Sequence, residues 1–215
     1  MFKDAQVIMI GSAATELCGP HSDVDFLVQM KTSGIILALD VVARKLKSHN
    51  SDFELKYVRR LARVPVIRAE HQLSQTELDI TFDCPQIRRN DAIKNTQLIK
   101  LYGENCRTFK KLYLFVKLIW GDTNIFDSKK GGLSSYAHAI TLIFFLTNKL
   151  KCTFINPENL TIINNKEICM PLAQKLIQYM LFIKNELEYT KIDITKLSFE
   201  KEINTKAGET EKSEN

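Results

Sequence analysis

"GSAATELCGPHSDVDFLV", residues 11–28, sets a Gly-Ser pair ten residues ahead of two aspartates separated by one apolar residue. The apolar run "QVIMI" (6–10) ahead of it reads as a strand stopped by Gly11, and "DVDFLVQM" (23–30) reads as a second strand. On a strand, residues i and i+2 project to one face, so Asp23 and Asp25 point together while Val24 and Phe26 pack into the sheet. Two adjacent carboxylates repel unless a cation sits between them. Oxygen-only ligands favour magnesium or manganese over zinc. Alone, Asp-x-Asp is equally the opening of a polar turn.

A third acid stands in "ELDITFD" (77–83), where Asp79 lies between Leu78 and Ile80 as a strand residue facing a site would. Three carboxylates on neighbouring strands are what two-metal phosphoryl transfer needs. Gly11 ends a strand and permits close backbone approach. Ser12 offers a hydroxyl and an N–H to a phosphate at a helix start.

Around these residues the pattern changes once. Residues 34–50 read as an amphipathic helix with Ile35, Leu39, Val42 and Leu46 on one face, and "FELKYVRR", "VPVIRAEH" and "ELDITFD" are three more candidate strands. From about residue 86, the segments 90–102, 107–121, 133–150 and 168–187 carry helical spacing and little β signal. The expected class is α+β in two lobes: 1–85, 86–200, and a polar tail over 201–215 with no packable face. A crevice between lobes is a usual place for a ligand.

The bulk numbers agree with a globular chain. It has 215 residues, 45% hydrophobic and 26% charged, with a formal net charge of +5, which suits an anionic partner such as RNA or a triphosphate. The five cysteines are scattered with no C-x-x-C pair, against zinc fingers and disulfide frameworks and for a reducing compartment. "AITLIFFL" is too short to span a bilayer. No signal or transit pattern opens the chain, so cytoplasm or nucleus is expected, with a mitochondrial form open.

The pattern apolar-Gly-Ser, ten residues, Asp-apolar-Asp-apolar resembles the signature of the DNA polymerase β-like nucleotidyltransferase superfamily. Further stretches resemble its non-canonical poly(A) polymerase and terminal uridylyltransferase branch: "RVPVIRAEHQLSQTELDITFD", "NTQLIKLYGENCRTFKKLYLFVKLIW" and "GGLSSYAHAITLIFFL". That resemblance implies a nucleotidyltransferase palm, a mixed β-sheet with helices, over 1–85 and a helical poly(A)-polymerase-type central domain over 86–200. It also implies a template-independent RNA 3′-end nucleotidyltransferase that adds AMP or UMP and uses magnesium or manganese. Asp23, Asp25 and Asp79 take the metal-binding and catalytic roles. Gly11, Ser12, Lys117, Ser134 and Ser135 take the triphosphate, Asn95 and Thr96 match the family's Asn-Thr pair at the sugar, and Tyr136 stacks on the base.

Several of these positions also have a physical reading. Lys117 sits in "LYLFVKLIW", a helix apolar on nearly every side, where a lysine is costly unless an anion reaches it. Ser134 and Ser135 precede a helical run, whose N-terminus presents free N–H groups to phosphate. Arg59, Arg60, Arg63, Arg68, Arg88, Arg89, Lys110 and Lys111 can track an RNA backbone or form a solvated basic face. His138 is expected to pack on its helix, and Asp83 to close its strand.

The chain departs from the family pattern in three places. Gly121 stands where relatives often carry a second lysine, the sequence starts almost at the first catalytic strand whereas relatives have preceding helices, and no stretch matches the Asp-Pro-Phe and His-Asn type segment that shapes the base pocket. The expectation is a fragment, a divergent short form or a sequence missing its ends. RNA selection then falls to an RNA-binding partner, and the choice between ATP and UTP stays open. Two other readings keep the fold: an inactive scaffold that binds RNA or a protein, and a nucleotidyltransferase with a small-molecule acceptor.

Overall fold

The computed structural model describes residues 5–19, 22–31, 34–62, 64–83, 91–120, 133–164, 167–187, 190–193 and 198–201. Its first half is a five-stranded mixed sheet of β1 (Gln6–Ile10), β2 (Val24–Gln29), β3 (Phe53–Arg59), β4 (Val66–His71) and β5 (Thr76–Asp83), in the order β1-β2-β5-β4-β3. Only β2 and β5 pair in parallel, and the parallel register sets Asp25 opposite Asp79. Every strand read from the apolar runs forms. A single helical turn, α1 (Gly11–Ala14), follows β1, and the long helix α2 (Ile35–Ser48) follows β2.

Strand alternation decides which side of the sheet carries chemistry. Ile67 and Ala69 of β4 and Phe82 of β5 are fully buried; Ile67 and Phe82 pack with Leu39, Ala38 and Ala43 of α2. Ile35, Val42 and Leu46 complete that helix face, as its spacing predicts. Each such large side chain contributes roughly 1.5–3 kcal/mol of burial. Arg68 lies between Ile67 and Ala69, and Asp79 next to Ile80, so both project from the face opposite α2. On β2 the most buried residues are Leu27 and Val28, while Val24 and Phe26 are half-buried.

The chain divides into two compact units, Met1–Ala139 and Ile140–Asn215. In the first, α3 (Ala92–Asn105) and α4 (Arg107–Trp120) pack through Leu98, Tyr102, Phe109, Leu112 and Val116. An aromatic run continues it: Tyr102 and Phe109 lie 5.9 Å apart, Phe109 and Tyr113 5.8 Å, and Tyr113 stacks on buried His138 at 5.0 Å. Helix α5 (Ser135–Phe144) begins in this unit.

In the second unit, Phe144 and Phe145 meet Tyr179 and Phe182 of α6 (Leu172–Asn185). "AITLIFFL" is thus buried core, and among the described residues no helix is long and apolar enough to cross a membrane. Two short ladders, β6 (Phe154–Ile155) with β7 (Ile162–Asn164) and β8 (Thr190–Asp193) with β9 (Ser198–Lys201), lie outside the segments with helical spacing, where no strand was expected. The β6–β7 turn is built by Asn156 and Asn159, whose side chains accept the N–H groups of Glu158 (2.7 Å) and Thr161 (3.1 Å). Lys201 ends β9, and the remainder of the tail, 202–215, lies outside the described residues, as do Arg63, Arg88, Arg89, Gly121, Gly131 and Gly132.

Candidate active site

The site starts at Gly11. Its φ of +70° is the left-handed region, which glycine enters without strain, and a Cβ there would stand 2.3 Å from Oδ2 of Asp25. The strand therefore ends on a residue that turns the chain and leaves room for a carboxylate. Antiparallel pairing sets Ile10 opposite Asp25, which brings the Gly11–Ser12 turn against the acid.

Asp23, Asp25 and Asp79 each present an oxygen within 4.8 Å of the others, a set that can hold a divalent cation. Burial, then Asp23, then Asp79 push the Asp25 carboxyl up to about 6, with Arg68 and Lys117 pulling it back. A half-buried carboxylate beside two others is unfavourable without positive charge, so the donor set fits a hard cation.

Beside these acids lies a cavity of about 540 Å³ within the first unit. Gly11, Ser12, Asp23, Asp25, Asn95, Thr96, Lys117, Ser134, Ser135 and Tyr136 all line it; Asp79 stands next to it, paired with Asp25 across the sheet. The Lys117 ammonium donates to the Leu17 carbonyl at 3.3 Å and to Ser22 Oγ at 3.0 Å. Burial lowers its pKa, and Asp23, Cys18 and Asp25 oppose the shift. Ser134 caps α5, its hydroxyl accepting the Ala137 N–H at 3.1 Å. Tyr136, half-buried, has its hydroxyl pKa raised by burial and by Asp91.

Three features were not legible beforehand. The Thr96 hydroxyl accepts the Gly11 N–H at 3.2 Å and donates to the Ala92 carbonyl at 2.8 Å, so it ties α3 to the glycine turn. Tyr113 and Ser22 also line the cavity. Arg68, grouped above with residues that can track RNA, instead grips Asp79: Nε donates to Oδ1 at 2.6 Å and Nη2 to Oδ2. Its alternation on β4 could have signalled a polar face, but only the β4–β5 register sets it opposite Asp79. Arg60 and Lys110 pair with Asp40 and Glu16.

Residues 1–104 match the family model described as the central palm domain of mitochondrial-like poly(A) RNA polymerase. The human terminal uridylyltransferase 7 is 25% identical over 156 residues, 69% of this chain and 10% of that protein. The inactive non-canonical poly(A) RNA polymerase protein Trf4-2 of Drosophila melanogaster is 24% identical over 200 residues, 92% of this chain and 45% of that protein. The chain thus spans less than half the length of these relatives. The crystal structure of mtPAP in complex with GTP shares the fold, with a TM-score of 0.75 at 13% identity, over 93% of this chain and 51% of that one.

Proposed function

We propose that this chain, similar to poly(A) polymerases and terminal uridylyltransferases, is a template-independent RNA 3′-end nucleotidyltransferase of that branch. The RNA 3′-hydroxyl, activated with the help of Asp79, releases its proton to solvent as its oxygen bonds to the α-phosphorus of a bound ATP or UTP. The bond from that phosphorus to the bridging oxygen breaks, and pyrophosphate leaves. The observation that carries this reading is the meeting of Asp23, Asp25 and Asp79 within 4.8 Å beside a cavity lined by Gly11, Ser12, Lys117, Ser134 and Ser135.

Asp23, Asp25 and Asp79 would hold magnesium or manganese, which when bound polarises the hydroxyl and the phosphoryl oxygens. The chain's own groups do the rest. Gly11 and Ser12 bring backbone and hydroxyl to the phosphates. Lys117 gives a positive charge in a half-dry wall, where it counts for more than at the surface. Ser134 and Ser135 stand at the positive end of α5. Asn95 and Thr96 face the ribose and Tyr136 the base. On this reading 1–85 is the palm, 86–200 the helical domain, and an RNA-binding partner selects targets.

A second reading, a scaffold without activity, is favoured by the match to Trf4-2 across 92% of the chain. The test is extension of a short oligo(A) RNA with magnesium or manganese and each triphosphate in turn. A ladder with ATP or UTP that disappears in Asp79→Ala, with folding retained, is the expected result. No extension by a protein that binds triphosphate would leave the scaffold. Asp79→Ala extending RNA as wild type does would overturn the mechanism.

A further inference from the structure

Arg68 has no part in the reaction just described, yet three carboxylates surround it. Its guanidinium takes both oxygens of Asp79, stands 3.1 Å from Glu77 Oε2 through Nη1 and 3.8 Å from Asp23 Oδ2 through Nη2, and lies 5.6 Å from the centre of the Tyr57 ring. Its side chain is only 20% exposed. A surface arginine that tracks RNA would point its fork at solvent; this one is turned into an acidic cluster. The register explains why: Tyr57 pairs with Arg68, Arg68 with Asp79, and Asp79 with Asp25, so the four side chains form one row across neighbouring strands.

We propose that Arg68 is a positioning residue for the acid triad: it is the resident counter-charge that lets three carboxylates converge before any ion binds, and its fork fixes the orientation of Asp79. The proposal rests on the reading of the triad as a metal site. It follows from geometry and charge alone. The planar fork fits both oxygens of one carboxylate and restrains its rotation, which a lysine cannot do. The same positive charge also opposes a divalent cation at the same oxygens. Arg68 therefore acts in two directions, lowering the affinity of the triad for a cation while holding Asp79 ready.

This double role separates it from a residue that only stabilises the sheet. Removing a merely structural arginine loosens the triad, so cation binding and turnover both fall. Removing Arg68 as assigned here leaves the cluster more negative and less oriented, so binding tightens while turnover falls.

The experiment titrates the full chain with Mn2+ alone, without RNA or nucleotide, by calorimetry and by the paramagnetic resonance signal of free Mn2+. Arg68→Gln is expected to bind Mn2+ about tenfold more tightly than wild type, since a unit charge within a few ångströms is removed from the site. It is expected to extend oligo(A) at least tenfold more slowly. Arg68→Lys, which keeps the charge and loses the fork, should bind Mn2+ within about twofold of wild type and still extend slowly. Unchanged or weaker Mn2+ binding by Arg68→Gln would overturn the inference. If that variant does not fold, Arg68→Lys carries the test, and wild-type turnover in it overturns the positioning role. Asp79→Asn is the control for the underlying reading. Should wild type bind no Mn2+, or Asp79→Asn bind it as wild type does, the triad is not the metal site and that reading fails first.

Discussion

At Gly11 two independent demands meet. The backbone there is left-handed, and Oδ2 of Asp25 occupies the space a side chain would need. Gly11→Ala therefore pays twice: roughly 1–3 kcal/mol of backbone strain, and displacement of the Asp25 carboxylate from the triad. Thermal melting should drop measurably and extension should fall by orders of magnitude; an alanine variant with wild-type turnover would mean that Asp25 tolerates displacement. Glycine at this position was legible in the sequence as a strand stop beside Asp-x-Asp. The reason for it was not, because the contact joins residues 14 apart through strand pairing. Thr96 shows a different case: it lines the cavity, and its hydroxyl also ties Gly11 to Ala92, a link that only the folded chain brings together.

Elements, next, hold the site by their ends. Helix α5 starts on Ser134, whose hydroxyl caps the Ala137 N–H, and the same end borders the cavity. Ser134→Ala should destabilise by about 1 kcal/mol, some 2–4 °C in Tm for a chain of this size. It should also raise the KM for triphosphate if that helix end receives phosphate; a change in Tm with KM untouched would leave Ser134 as a cap only. Helix α4 buries Phe109, Leu112 and Val116 on one side while Phe115, Leu118 and Ile119 are 43%, 74% and 48% exposed. Its all-round apolarity was readable from "LYLFVKLIW", but the sequence gives no sign of which side faces the cavity. Lys117 falls on that side because Leu17 and Ser22 come to it from the loop ahead of β2.

For the whole molecule, half-buried Asp25 and buried His138 contribute opposite pH responses. Burial holds the Asp25 carboxyl at about 6, above its ordinary 3.8, so this group favours the folded state below about pH 4 and that contribution is lost as pH rises through 6. Burial, aided by Lys117, holds His138 at about 4, below its ordinary 6.5, so its contribution is full above pH 6.5 and is lost as pH falls through 4. Between pH 4 and 6.5 the two slopes oppose. His138→Phe, which keeps the stack on Tyr113, should leave a stability that falls more steeply as pH rises from 4 to 6 in chelator-treated protein. Adding Mn2+ should cancel that fall, because a cation at the triad favours ionised Asp25. A His138→Phe profile identical to wild type would sink this account.

The order of strands and helices, the amphipathic face of α2 and the identity of the three acids follow from sequence, because periodicity and strand alternation are local. Hydrophobic spacing determines which face of each element is dry, and Asp23, Asp25 and Asp79 alternate with apolar neighbours, which sets them on the other face of their strands. The small ladders β6–β7 and β8–β9 escaped it because strands of two to four residues carry too little periodicity to register. Tertiary structure alone decided what meets what. Parallel pairing of β2 with β5 places Asp79 beside Asp25, antiparallel pairing of β4 turns Arg68 onto Asp79, and Thr96 reaches Gly11 across 85 residues. Such contacts depend on register, which a single strand cannot encode without its partner.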